Sequence, residues 1–168
     1  GNRAMVKMSE NSRHLARLMI EKMPGYFPRD KLAVFDETGG VGVDFSRLPF
    51  DHLLFTGSSQ TGRSVMAAAA QNLCPVTLEL GGKSPAIVGP DYPMAKAAER
   101  IMVGKLLNAG QTCIAPDYVL VPRQSVAEFV AATRDQARRM YPRGINDPDY
   151  CSVVNQRHYG RLVGYLEE

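Results

Sequence analysis

The sequence predicts an α/β fold built on parallel strands. Three observations point there. Short apolar runs recur along the chain, most are followed by a segment whose apolar residues repeat every three or four positions, and turns rich in glycine or proline separate them. Strand and helix in alternation require crossover connections, and crossovers join parallel strands. The 168 residues are 45% hydrophobic and 22% charged, ordinary for a globular core, which excludes disorder, collagen and coiled coil for most of the chain. Twenty Lys and Arg against 17 Asp and Glu leave a net charge of +3, without a run of five like charges. Neither nucleic acid nor an anionic membrane is therefore an expected partner. No apolar run approaches the ~20 residues of a spanning helix, and no charged-then-apolar leader opens the chain. Cys74, Cys113 and Cys151 are odd in number and far apart, which fits reduced thiols in the cytoplasm better than a disulfide framework. The opening on Gly1-Asn2 and the close inside an amphipathic segment suggest a piece of a longer protein.

The elements follow in order. Residues 3–8 read as a buried strand around Ala4-Met5-Val6. Asn11 or Ser12 offers a cap for a helix with Leu15, Leu18, Met19 and Met23 on one face, ended by Pro24-Gly25. Leu32 to Phe35 is the second strand, followed by a loop at Gly39-Gly40. His52 to Thr56 is the third, and the alanine-rich stretch from Ser59 to Leu73 is helical. Val76 to Leu80 is the fourth strand and Ser84 to Val88 the fifth, with Gly81-Gly82 between them as the domain boundary. Ala95, Ala98, Met102 and Leu106 line a helix that stops near Asn108-Ala109-Gly110. Tyr118 to Val121 is a further strand. Val126, Phe129, Val130, Thr133 and Ala137 define the next helix, Pro142 to Pro148 a polar loop, and Tyr159, Leu162, Val163 and Leu166 the last helix.

Several residues could carry chemistry. The turn Gly57-Ser58-Ser59-Gln60-Thr61-Gly62 joins a strand to a helix, where free N–H groups and the positive dipole end favour an anion. Its spacing is not that of the dinucleotide fingerprint; it is nearer a P-loop, with Arg63-Ser64 in place of Lys-Ser or Lys-Thr. A nucleotide-binding P-loop over Gly57 to Ser64 is thus an alternative reading, as is a plain connecting turn. Cys113 lies on a turn after a helix, where backbone N–H groups can lower a thiol pKa; a small buried hydrophobe is the other reading. Cys74 and Cys151 have no better claim than packing. Glu79 shares a strand face with Thr77, and on a largely buried strand its pKa would rise toward that of a general base. A paired structural carboxylate would look the same. Lys7 and Glu10 follow the first strand, where an acid can accept from ribose hydroxyls, or where two charges simply meet water. His14, His52 and His158 have no metal-ligand spacing with each other or with the cysteines, so no metal site is expected.

Together these segments resemble the aldehyde dehydrogenase superfamily. The resemblance rests on FTGSSQTG (Phe55 to Gly62), PVTLELGGKSPAIV (Pro75 to Val88) and NAGQTCIAPDYVLV (Asn108 to Val121), with the thiol 34 positions after the carboxylate. Cys113-Ile-Ala-Pro-Asp-Tyr118 is similar to the class 3 side of that superfamily. Lys7-Met8-Ser9-Glu10 and Leu48-Pro49-Phe50-Asp51-His52 are similar to its coniferyl aldehyde dehydrogenases. The resemblance implies part of a Rossmann-like, NAD(P)-binding parallel-sheet domain over residues 1–80 and part of an α/β catalytic domain over residues 81–168. It implies Cys113 as nucleophile and Glu79 as general base, with the Cys113 N–H in the oxyanion hole. Gly57, Ser58 and Gly62 would border the cofactor pyrophosphate, and Lys7 and Glu10 would address the adenosine ribose of NAD or NADP. The common family pattern has proline where this chain has Met8. Family members are longer, so the resemblance implies a homo-oligomeric parent acting on a small aldehyde, and a fragment inactive by itself.

Overall fold

The computed structural model describes residues 1–39 and 42–167. The chain forms two compact units, Gly1–Leu80 and Gly81–Glu168. The first contains β1 (Ala4–Lys7), α1 (Arg13–Lys22), β2 (Leu32–Phe35), α2 (Gly42–Phe45), β3 (Leu53–Gly57), α3 (Ser59–Ala70) and β4 (Val76–Leu80). The second contains β5 (Ser84–Ile87), α4 (Met94–Leu106), β6 (Pro116–Leu120), α5 (Val126–Met140) and α6 (Gln156–Glu167). Three parallel ladders result, β1 with β2, β3 with β4 and β5 with β6, each bridged by one helix. The α/β class expected from the alternation is what the chain adopts.

In the first unit the core gathers where α3 lies on its ladder. Leu53, Val65, Ala69 and Cys74 are buried together, and Phe50, Phe55 and Val76 pack against them. Gly62 allows this approach: a Cβ there would stand 3.0 Å from Leu80 Cδ2 and 3.7 Å from Leu78 Cδ1. Helix α3 stops at Ala70, three residues short of the expected Leu73. The reason is a Schellman turn, with Leu73 in the left-handed region at φ 54°, its N–H bonded to Ala70 O (3.1 Å) and the Cys74 N–H to Ala69 O (3.2 Å). A glycine usually signals such a turn; leucine hides it.

The first strand departs from expectation. Residues 4–7 do form β1, but Met5 and Val6 are 44% and 38% exposed. Among the described residues β1 pairs with β2 alone and α1 packs on β2, so both faces of β1 are not covered as a central parallel strand requires. Met8 extends this ladder by donating its N–H to Phe35 O at 2.8 Å, a bond proline could not make. The cap of the following turn is Ser9, whose hydroxyl accepts from Asn11 N at 3.2 Å; Ser12 makes no side-chain cap bond. Of the expected Gly39-Gly40 loop, Gly39 closes a short 3-10 turn and Gly40 lies outside the described residues.

In the second unit Val88, Met94, Ala97, Ala98 and Phe129 form the core, joined by Ile101, Val119, Val121 and Ala132 from β6, its continuation and the facing helices. The β5–β6 register slips after Ser84↔Pro116 to Pro85↔Tyr118, leaving Asp117 as the extra residue of a bulge. The polar loop after α5 is organised from inside. Buried Asp147 accepts the N–H groups of Arg143 and Asp149, both at 3.2 Å, while Tyr141 and Tyr150 meet edge to face at 4.7 Å.

Candidate active site

At the carboxyl end of the β3–β4 ladder, Thr56 pairs with Glu79 and Gly57 with Leu80. The glycine turn and the carboxylate therefore share one edge, a neighbourhood that the sequence alone left unstated. Helix α3 begins at Ser59, immediately after the cap Ser58, whose hydroxyl accepts the Thr61 N–H at 3.1 Å and lies 2.9 Å from Thr61 Oγ1. The first N–H groups of α3 lie outside the helix's own ladder, and Ser58 takes that of Thr61. That donor set suits a pyrophosphate. The two glycines serve mainly packing: a Cβ at Gly57 would fall 2.5 Å from Phe55 Cζ, and Gly62 is buried under β4.

The same geometry does not favour the P-loop alternative. A phosphate cradle needs residues of the motif in an open loop before the helix. Here residues 59–64 are already helical, and Arg63 occupies an exposed site within α3.

Glu79 corrects a second expectation. Val76, Leu78 and Leu80 do alternate with Thr77 and Glu79, but the Thr77–Glu79 face is solvent-exposed. The burial on which a base-like environment was expected is absent from this chain, because no described element covers that face of β4. Lys7 ends β1 partly buried, its ammonium donating to Met8 O at 3.0 Å, and Glu10 stands exposed in the adjoining 3-10 turn.

In the second unit Cys113 is exposed, on a turn closed by the Ala115 N–H to Thr112 O bond at 3.3 Å. Cys74 is buried in the first core, as packing predicts; Cys151 is exposed, against that expectation, in the irregular segment before α6. The route into the Cys113 turn is unusual. Asn108, Ala109 and Gly110 all have positive φ, at 51°, 54° and 76°. The Gln111 amide then donates to Asn108 O (3.0 Å) and Ser152 O (3.1 Å) and accepts the Val154 N–H (2.9 Å). Gly82 approaches from the other side: a Cβ there would lie 2.6 Å from the Cys113 carbonyl oxygen. Sequence reasoning placed Gly82 only at a boundary and did not single out Gln111. The signal for Gln111 was its place in the NAGQTC motif; its partners, more than forty residues away, left none.

Next to Gly82, Lys83 Nζ meets Asp117 Oδ2 at 2.9 Å, linking the start of β5 to the bulge in β6. That hydrogen bond, opposed by desolvation and aided by the charges of Lys83 and Lys105, holds the Asp117 carboxyl below its usual value. The same bond and the charge of Asp117 raise Lys83 above its own. A depressed acid contributes stability above its unfolded pKa and loses it as pH falls through the folded value. A raised lysine contributes below its unfolded pKa and loses it as pH rises through the folded value. Asp117→Asn should therefore flatten a small decline in thermal stability at acid and at strongly alkaline pH, an effect that 1 M salt should also weaken. Melting curves across pH check this; identical pH profiles for the variant and the parent protein would refute the pairing.

A Rossmann-like α/β fold, a Ser58-capped helix N-terminus at a strand end and an exposed cysteine turn fit an oxidoreductase scaffold. The chain belongs to the aldehyde dehydrogenase family, whose profile matches residues 1–168. It is 55% identical to a probable coniferyl aldehyde dehydrogenase of Pseudomonas aeruginosa, over 100% of this chain and 35% of that protein. It is 42% identical to aldehyde dehydrogenase family 3 member A2 of Rattus norvegicus, over 99% of this chain and 35% of that protein. The chain thus spans about a third of the length of these curated relatives. Among solved structures it is similar to a substrate-bound AldH of Staphylococcus aureus, with TM-score 0.89 and 40% identity over 99% of this chain and 37% of that one. It is also similar to a Mycobacterium tuberculosis aldehyde dehydrogenase complexed with NAD+, with TM-score 0.80 and 31% identity over 98% and 35% of the two chains. Among the described residues no helix is long and apolar enough to cross a membrane.

Proposed function

We propose that this chain supplies the cofactor edge and the nucleophile of a cytoplasmic, homo-oligomeric NAD(P)+-dependent aldehyde dehydrogenase. Its substrate is an aromatic aldehyde of the coniferyl aldehyde kind, oxidised to the carboxylic acid. The observation that carries this reading is the exposed Cys113 on its tightly specified turn. Cys113 Sγ, as thiolate, attacks the aldehyde carbon to form a thiohemiacetal. Its own main-chain N–H donates to the developing oxyanion. The bound dinucleotide supplies the hydride acceptor. Glu79 takes a proton from the water that hydrolyses the resulting Cys113 thioester, which frees the acid and restores the thiol. The α3 N-terminus with Ser58, between Gly57 and Gly62, holds the pyrophosphate, and Lys7 and Glu10 take the adenosine ribose. Glu10 would repel a 2′-phosphate, whereas Lys7 would accept one, so the two cofactors compete on opposite charges. The aromatic substrate class is supported by the likeness to the Pseudomonas aeruginosa protein at 55% identity.

The test is reduction of NAD+ and NADP+ by the purified whole protein with coniferyl aldehyde and with aliphatic aldehydes. The expected result is reduced cofactor and carboxylic acid in equal amounts, with the aromatic aldehyde preferred. The isolated 168-residue chain is expected to give neither product. No reduction by the whole protein with any aldehyde would overturn the reading; turnover by the isolated chain would overturn the claim that it needs further segments.

A further inference from the structure

The thiol of Cys113 sits on a turn that its own short-range bonds do not hold. The turn's single internal bond is the long Ala115-to-Thr112 contact at 3.3 Å, and Ile114 beside the thiol is 79% exposed. Immediately upstream, Asn108 and Ala109 occupy the left-handed region, which asparagine tolerates but which costs alanine about 1–2 kcal/mol. A segment so arranged would relax to ordinary backbone angles unless something outside it held it there.

That something is Gln111. Both donors of its amide are used, one on Asn108 O (3.0 Å) and one on Ser152 O (3.1 Å), and its carbonyl accepts the Val154 N–H (2.9 Å). Its main chain is bound as well: its N–H donates to Asn108 O at 3.1 Å and its carbonyl accepts from Asn108 Nδ2 at 3.3 Å. One side chain thus closes the left-handed bend and clips it to the irregular segment 152–154 that leads into α6. The bonds need two donors and one acceptor in a fixed fork, which an amide of this length provides and a carboxylate does not.

We infer that Gln111 is the positioning residue of the reaction centre: by clipping the left-handed bend at residues 108–110 to the 152–154 segment, it fixes the direction of the Cys113 thiol and main-chain N–H. The inference rests on the dehydrogenase reading for its catalytic consequence. For the geometry of the thiol it needs only the bonds just given.

The test compares the whole wild-type protein with Gln111→Glu, which keeps the shape and loses both donors, and with Gln111→Asn, which keeps the groups and shortens their reach. Two readouts are taken on protein that melts above the assay temperature. One is the alkylation rate of Cys113 by iodoacetamide relative to free cysteine in the same mixture, followed by peptide mass spectrometry. The other is kcat and KM for aldehyde oxidation. Gln111→Glu is expected to change the ratio of the Cys113 rate to that of free cysteine about tenfold, the scale of one lost hydrogen bond. It is expected to lower kcat about 10²-fold, the scale of a 1 Å misplacement, with KM for the dinucleotide unchanged. Gln111→Asn should fall between, and it decides the matter if Gln111→Glu does not fold. A wild-type alkylation ratio in either folded variant overturns the inference, as does a loss of kcat matched by an equal rise in cofactor KM. Alkylation reads out whether or not aldehyde is oxidised, so a failure of the dehydrogenase reading would be seen in the wild type alone and would leave Gln111 still judged by the thiol.

Discussion

Cys113→Ser in the whole protein is expected to lower aldehyde-dependent reduction of the dinucleotide on the order of 10⁴-fold or more, as loss of a catalytic nucleophile does elsewhere. The argument is chemical. A serine hydroxyl at this turn has the same reach, but its pKa lies far above that of a thiol, and among the described residues of this unit no hydrogen bond joins the position to a base. Dinucleotide binding should survive, because the groups proposed to hold it, Ser58 and the α3 N-terminus, are in the other unit. The informative comparison is Cys151→Ser, an exposed thiol outside the proposed machinery, which should leave the rate unchanged. Activity within tenfold of wild type in Cys113→Ser would remove the thiol from the reaction, and with it the covalent mechanism.

The second large effect is expected from a single methyl group. Gly82→Ala would set a Cβ 2.6 Å from the Cys113 carbonyl oxygen, and that oxygen belongs to the main chain, so it cannot swing aside. Either the Cys113 turn or the start of β5 must give way. Overpacking of this kind costs about 1–3 kcal/mol of stability. If the turn yields, kcat should fall about 10²-fold, since the reacting sulfur moves by a sizeable part of an ångström. Gly81→Ala is the matched control, because a Cβ at Gly81 meets nothing within 4 Å among the described residues. Steady-state kinetics and melting curves of the two alanine variants decide it. Equal behaviour of Gly81→Ala and Gly82→Ala would show that the close approach at Gly82 does not govern the thiol.

These expectations show where sequence reading succeeds and where it stops. The helices over residues 94–106 and 126–140 and the strand at Val76–Leu80 were legible because their apolar residues repeat at 3.6 or at 2, and the strand at Leu32–Phe35 because it is a short unbroken apolar run. The end of α3 was not, because Leu73 takes the left-handed angle that glycine would have announced. Ser12 does stand at the cap position of α1, but its side chain makes no cap bond, because a 3-10 turn capped by Ser9 already leads into the helix. The face shared by Thr77 and Glu79 was read correctly from alternation, yet its exposure was not, since alternation assigns residues to faces and says nothing of what covers them.

The candidate site divides in the same way. The residues that could react or bind, Cys113, Glu79 and the Gly57–Gly62 turn, are written in local motifs, because chemistry requires particular side chains at short spacings. What holds them was decided only in three dimensions. Gln111 meets Ser152 and Val154 across 41 and 43 positions, and Gly82 meets the carbonyl of Cys113. Thr56 brings Glu79 beside the start of α3 through strand register. Periodicity records how one element turns its own side chains; it carries no record of which distant backbone group a side-chain amide will reach, or where a missing Cβ will let two chains touch. Those are properties of the packed chain, and they set the direction of the thiol.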